Sequence, residues 1–88
     1  MTKLEEKLLK LGYKKCHSRD YNFEGLTSYL KLIPNNHIVI FVNKESGCID
    51  YHKVIPFHDF QIQEDIDNLQ QAFNEMQKDL EVLKEYER

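Results

Sequence analysis

The chain has 88 residues, of which 41% are hydrophobic and 31% charged, and its formal net charge is −3. This length and composition predict one small globular domain over residues 1–88, with a net stability of roughly 5–10 kcal/mol, and exclude a disordered or fibrous chain. No apolar run approaches the ~20 residues that span a bilayer, and acids occupy the place of a signal peptide's apolar segment. We therefore expect a cytoplasmic protein without membrane association.

The first segment has the signals of a short helix. Thr2 and Glu5 match a capping box, in which both side chains satisfy free backbone amides at a helix start. Gly12 is a good left-handed stop, and Tyr13 behind it is expected to pack back on Leu8 or Leu9. We predict a helix over about residues 3–11.

A connection and three strands follow this helix. Residues 13–25 show no clean period, and we interpret them as a connection with room for a short edge strand, anchored to the core by Tyr21 and Phe23. Alternating apolar residues, separated by turns that contain Asn or Gly, then predict a three-stranded antiparallel meander. Its strands are expected over residues 26–33, 38–42 and 48–54.

The middle strand is apolar on both of its faces, as is typical of a strand covered from two sides. One face belongs under the helices. On the other face, Val39 and Phe41 need cover, either from Tyr29 and Tyr51 across the strands or from a second molecule.

The C-terminal segment has the pattern of one long amphipathic helix over residues 61–86. Asp59 is the predicted N-cap, and acids in the first turns suit the positive end of the helix dipole. Apolar residues recur at steps of four and three without a miss, which is the spacing of a narrow buried stripe. These residues are Ile62, Ile66, Leu69, Phe73, Met76, Leu80 and Leu83.

The order helix, three strands, helix predicts an α+β fold with the long helix on one face of an antiparallel sheet. A helix of about 26 residues is ~39 Å long, whereas strands of six residues extend only ~20 Å. We therefore expect residues 62–73 to close the domain's own core. The overhanging residues Met76, Leu80 and Leu83 are expected to form a homodimer, although the whole stripe could instead lie on this chain's sheet.

The chemistry-bearing side chains form no recognisable reactive site. Cys48 and His52 lie four residues apart on a predicted strand, roughly 13 Å, which is too far for both to ligate one metal with Cys16 and His17. The three glycines form no phosphate-binding loop, and no third group orients a Cys–His pair. We therefore predict reduced packing cysteines, no metal, no cofactor and no catalytic residue.

A basic surface and an acidic surface are the two candidates for binding. Lys3, Lys7, Lys10 and Lys14 share one helical face near Tyr13 and Tyr21, a composition that suits nucleic acid, although an ordinary solvated face explains it too.

The acidic candidate lies near the C-terminus, where the carboxylates of Glu75, Asp79, Glu81 and Glu85 stand in like-charge pairs four residues apart. Such pairs weaken a helix slightly, so this acidic helix surface could dock on a basic protein surface or imitate nucleic-acid phosphates. A solvated face is again the alternative.

Three stretches together are similar to known small proteins: KLEEKLLKLGY at residues 3–13, a meander rich in Tyr and Ile, and EDIDNLQQAF at residues 64–73. In style they resemble small uncharacterised accessory proteins of Gram-positive bacteriophages and prophages. The resemblance implies a cytosolic protein that binds a host protein, with anti-CRISPR and other anti-defence inhibitors as the sharpest examples, and it assigns a role to no residue.

These observations predict a non-catalytic protein-interaction module, most concretely a phage-type inhibitor of a host nuclease or defence complex that uses the acidic helix surface. The alternative hypothesis is a small homodimeric regulatory protein that binds nucleic acid through the basic N-terminal helix.

Overall fold

The computed structural model describes residues 2–17, 19–21, 23–57 and 62–87, and for Asp20 the backbone only. The predicted N-cap Asp59 lies outside these residues. Single 3₁₀ turns occur at Arg19–Tyr21 and Lys84–Tyr86, and no described helix is long and apolar enough to cross a membrane. The main elements are α1 (Lys3–Lys10), β1 (Lys14–Lys15), β2 (Leu26–Ile33), β3 (Asn36–Asn43), β4 (Ile49–Pro56) and α2 (Gln63–Val82).

The α+β class is confirmed, but the sheet has four antiparallel strands, in the order β1-β2-β3-β4, instead of the predicted three. The additional strand is β1, in which Lys14 pairs with Leu30 and Lys15 with Tyr29. Two residues are too short for alternation to be visible in a sequence. A short strand that carries two lysines is also a common way to protect a sheet edge from pairing with other chains.

Helix α1 begins at the predicted residue and ends within one residue of the predicted end, and the Thr2 half of the predicted capping box is present. The Thr2 hydroxyl accepts a hydrogen bond from the Glu5 amide at 3.1 Å, and Gly12 adopts φ +100° after the last turn. The Tyr13 amide then donates to the Leu8 carbonyl at 3.0 Å, and its ring is fully buried. The predicted return of Tyr13 to the helix is confirmed.

The two helices and one face of the sheet enclose a single core. Its buried members are Leu4, Leu8, Tyr13, Tyr29, Ile38, Ile40, Ile49, Met76, Leu80 and Leu83. Tyr29 pairs with Ile40 and belongs to this inner face, so the prediction that it covers Val39 and Phe41 is wrong. Tyr51 does cover Phe41, with ring centroids 6.0 Å apart.

The buried and the exposed halves of the apolar pattern on α2 are the reverse of those predicted. The exposed fractions of Met76, Leu80 and Leu83 are 4%, 8% and 0%, so these residues do not overhang and are not free to form a dimer. The fractions of Ile62, Ile66 and Phe73 are 58%, 50% and 41%.

The reason for this reversal is where α2 is anchored. The chain leaves β4 at Pro56, and α2 runs back along the sheet until Glu87 bridges to Ile49 at the start of β4. A helix of 20 residues is about 30 Å long. Because its end is fixed at Ile49, its first turns project beyond the strands, past the turn between β2 and β3.

Candidate functional site

A buried polar network joins α2 to the sheet. Lys31 Nζ lies 2.8 Å from both Glu75 Oε1 and Asp79 Oδ2, and Tyr13 Oη donates to Asp79 Oδ2 at 2.9 Å. Lys31 also stands 5.4 Å from the centroid of the Tyr13 ring. Asp79 and Tyr13 are only 2% and 0% exposed.

The network shifts the pKa values of Tyr13, Lys31 and Glu75. Burial is the main cause that raises the pKa of the Tyr13 hydroxyl, and the neighbouring Asp79 carboxylate raises it further. Burial would lower the pKa of Lys31, but the hydrogen bonds to Asp79 and Glu75 outweigh it and raise that pKa. The hydrogen bond from Lys31 lowers the pKa of Glu75. The charged groups are thus held to one another inside the molecule.

The predicted acidic helix surface is largely used internally. Asp79 is buried in the network and Glu75 is paired with Lys31, while Glu85 Oε1 lies 2.6 Å from Lys7 Nζ. The prediction that Asp79 faces a partner is therefore wrong, because Lys31 and Tyr13 supply partners that are distant in sequence. Of the four predicted residues, Glu81 alone is exposed with no hydrogen bond or ion pair among the described contacts.

The predicted basic face is also divided. Lys14 lies on strand β1, because the positive φ of Gly12 ends the helix before it, so it shares no helical face with Lys3 and Lys10. Lys7 is paired with Glu85 and stands 5.3 Å from the centroid of the Tyr86 ring.

The cysteines and histidines give no metal centre in the described part of the chain. No group of three or more His, Cys, Asp or Glu side chains is placed there to hold an ion. Cys16 and Cys48 are reduced and partly buried.

The N-terminal half of the apolar pattern of α2 is the first surface available for binding. We use "α2 stripe" for the residues of this half, Ile62, Ile66, Leu69 and Phe73. The exposed carboxylates of Glu64 and Asp67 flank it, whereas Asp65 is buried and accepts a hydrogen bond from the Ile62 amide at 3.2 Å. The period in the sequence found these residues but placed them in the core.

The second available surface is the side of the sheet that faces away from the helices, which we call the outer sheet face. Two rows of aromatic rings cross it. In the first, the Phe41 centroid lies 5.5 Å from Phe23 and 6.0 Å from Tyr51. In the second, the His37 centroid lies 5.8 Å from Tyr21 and 5.1 Å from Phe57.

The connection before β2 lies on this same face. The Ser28 hydroxyl donates to the Tyr21 carbonyl, and Tyr21 Oη lies 2.8 Å from His37 Nε2. Tyr21 and Phe23 therefore anchor the connection to the outer sheet face and not, as predicted, to the core. Phe23, Tyr51 and Phe57 remain 50%, 55% and 56% exposed.

The sequence matches no protein-family model, and no curated protein or solved structure shows significant similarity to this chain. A functional proposal therefore rests on the α2 stripe and the outer sheet face, two surfaces on which several large apolar or aromatic side chains are about half exposed.

Proposed function

We propose that this chain is a non-catalytic protein-interaction module that docks the α2 stripe on a partner protein. The observation that carries the proposal is the half-exposed state of Ile62, Ile66 and Phe73 along one line of a helix. Contiguous exposed apolar side chains of this kind, bordered by polar residues, are typical of interaction sites. Amphipathic helices bind grooves through anchors at this spacing.

The charges around the α2 stripe support a basic partner. Residues 62–74 include Glu64, Asp65 and Asp67 but neither Lys nor Arg. If two copies paired through this half of α2, acids would meet acids or neutral residues in either orientation. A partner with an apolar groove and Lys or Arg at its rim would complement the same charges, which favours a heterologous complex over the homodimer predicted from the sequence.

The kind of partner follows from the same complementarity. A nucleic-acid channel is a protein surface rich in Lys and Arg, and an acidic helix can occupy it. Together with the resemblance to phage accessory proteins, this supports a host nuclease or defence complex as the protein that is bound and inhibited. The acids that would act are Glu64 and Asp67, with Glu81 further along the helix as the one of the four predicted residues that is exposed and unpaired among the described contacts.

The buried network is proposed as structural and not catalytic. Shifted pKa values often mark active sites, and Tyr13 and Lys31 are therefore the natural candidates for proton chemistry. However, Tyr13 and Asp79 are closed off from solvent, and the Tyr13 hydroxyl and the Lys31 ammonium are both bonded to Asp79 Oδ2. A substrate has no access to them.

Nucleic-acid binding through the basic N-terminal helix is the weaker proposal. Lys7 is paired with Glu85, and Lys14 is on a strand, so no continuous cationic face supports it.

Affinity capture from bacterial lysate with matched variants tests the proposed function. We expect the chain to retain a defined partner that is lost in the double variant Ile66→Ser, Phe73→Ser and in the double variant Glu64→Lys, Asp67→Lys. Val82→Ser is the control, because Val82 is 51% exposed on the same helix but outside the α2 stripe. Equal recovery of the partner by all variants, each with an unchanged circular dichroism spectrum, would sink the proposal.

A further inference from the structure

The outer sheet face alternates aromatic rings with positive charge. Phe41 and His37, the centres of the two aromatic rows, are four residues apart on β3, a separation of roughly 13 Å. Both rows reach solvent through half-exposed rings, Tyr51 in the first and Phe57 in the second. The rows could therefore hold separate planar groups of one extended ligand.

Lys53 stands between the two rows. It pairs across the sheet with Val39, which lies midway between His37 and Phe41 on β3, and its side chain is exposed. Burial is the main cause that lowers the pKa of His37, and the charge of Lys53 lowers it further. A planar group, a charge and a second planar group thus follow one another along the sheet.

Two neighbouring cavities extend this positive surface. A groove of about 240 Å³ is lined by Phe23, Leu26, Phe41, Tyr51 and Lys53. Leu26 also borders a polar cavity of about 200 Å³, which Lys15, His17 and Lys44 line from the sheet edge and the turn after β3. No carboxylate is among the described residues that line either cavity.

Three described carboxylates belong to residues that adjoin this surface in sequence, two in turns and Asp50 on β4. Glu24 and Glu45 are exposed in the turns before β2 and after β3, and the Asp50 carboxylate accepts a hydrogen bond from Asn43 Nδ2 at 3.0 Å. The interior of the groove carries Lys53 as its charged group, so an anionic ligand is favoured there.

We propose that the outer sheet face binds single-stranded nucleic acid, with bases a few nucleotides apart stacked on Tyr51 and Phe57 and a phosphate of the backbone between them at Lys53. Aromatic side chains provide stacking surfaces for any base, and a cationic groove follows the backbone. A duplex fits poorly, because its bases are stacked on one another and cannot reach the rings. This surface is separate from the α2 stripe and goes beyond the proposed function.

Fluorescence anisotropy with labelled oligothymidine and oligouridine tests the inference. We expect binding that weakens with salt and that a duplex competes for poorly. Tyr51→Ala should weaken it about 5- to 100-fold, while Tyr51→Phe retains most of the affinity. Lys53→Gln should reduce the slope of log affinity against log salt by about 0.7, the contribution of one phosphate contact in a single strand.

Leu9→Ala is the control, because Leu9 is exposed on α1 and distant from the outer sheet face. Its affinity should equal that of the parent. Three results overturn the inference: no binding at low salt, equal affinity of parent and Tyr51→Ala, or preference for duplex. Sedimentation tests whether a second copy of the chain occupies this face instead. If the parent self-associates, Tyr51→Ala does not, and neither binds the oligonucleotide, the occupant is a second copy and the inference is overturned.

Discussion

Lys31 on β2 and Asp79 on α2 form an ion pair of 2.8 Å between two side chains that are almost entirely withdrawn from solvent. Tyr13 bonds to the same carboxylate, so the connection after α1, the second strand and the last helix meet at one oxygen. Burying charges costs free energy that the pair recovers only while all partners are present.

Removal of the Asp79 carboxylate should therefore destabilise the fold strongly. We expect Asp79→Ala to lower the free energy of unfolding by about 3 kcal/mol, because the Lys31 ammonium and the Tyr13 hydroxyl lose their shared partner. Chemical denaturation measures this loss. The double variant Lys31→Met, Asp79→Leu should be clearly milder than the sum of its single variants, since it leaves no buried charge behind. Additive losses would contradict the coupling.

Alkaline pH should weaken the fold through Tyr13. Burial and the Asp79 carboxylate raise the pKa of Tyr13 above the ordinary value of 10.0. Below that value both folded and unfolded chains keep the proton. Above it the unfolded chain releases the proton while the folded chain retains it, so the stability contribution is lost as pH rises.

The pKa of Lys31 is also raised, so Lys31 contributes a loss of stability in the same direction at alkaline pH. The variant Tyr13→Phe isolates the contribution of Tyr13. Urea denaturation at increasing pH should show a shallower alkaline decline for Tyr13→Phe than for the parent or for Tyr51→Phe, which alters an exposed tyrosine. Parallel declines for all three proteins would contradict the assignment. At neutral pH, Tyr13→Phe should still lose about 1.5–3 kcal/mol, as for a hydrogen bond to a charged group.

The two halves of the α2 apolar pattern should respond differently to truncation. Leu83→Ala should lower the free energy of unfolding by about 2–5 kcal/mol, because it opens a cavity in the core. Ile66→Ala should change it by less than about 0.5 kcal/mol, since that side chain is half exposed. Thermal unfolding of the two variants compares them directly. Similar losses would mean that residues 62–73 are covered.

Gly12 should resist substitution for a backbone reason. Its φ of +100° is one that side-chain-bearing residues rarely adopt, whereas an added Cβ would meet only the Lys31 side chain at an ordinary 3.6 Å. We expect Gly12→Ala to cost about 1 kcal/mol or more, and Gly12→Asn to cost less, because Asn tolerates positive φ better. Denaturation midpoints of the two variants give the comparison, and a stabilising Gly12→Ala would be inconsistent with the turn.

Local signals predicted most of the architecture. The Thr2 cap, the Gly12 stop, the period-two strands and the period of α2 each depend on neighbours within a few residues, and the structure contains all of them. Strand β1 was not predicted, because two residues are too few to show the alternation of a strand.

The surfaces were harder to predict because they depend on long-range placement. Which half of α2 is buried depends on the bridge between Glu87 and Ile49, and the burial of Asp79 depends on Lys31 and Tyr13. Met76 and Leu83 lie one helical turn from Asp79, whereas the corresponding neighbours of Glu81 are polar, but this local difference does not identify Lys31 and Tyr13 as the partners of Asp79. The sequence indicated the outer sheet face only through the apolar residue Phe41, which needed cover. The second aromatic row could not be predicted, because it depends on which residues the strand register places side by side.

The bond between Tyr13 and Asp79 also bears on synthesis, because it joins residues 66 positions apart. During translation the connection after α1 and all four strands are synthesised before Asp79, so the inner face of the sheet has no cover from α2 until the end of the chain has emerged. Proteins dominated by such distant contacts fold slowly, and exposed apolar strands favour aggregation meanwhile. A released chain truncated before α2 should therefore depend on chaperones, whereas the full-length chain should not.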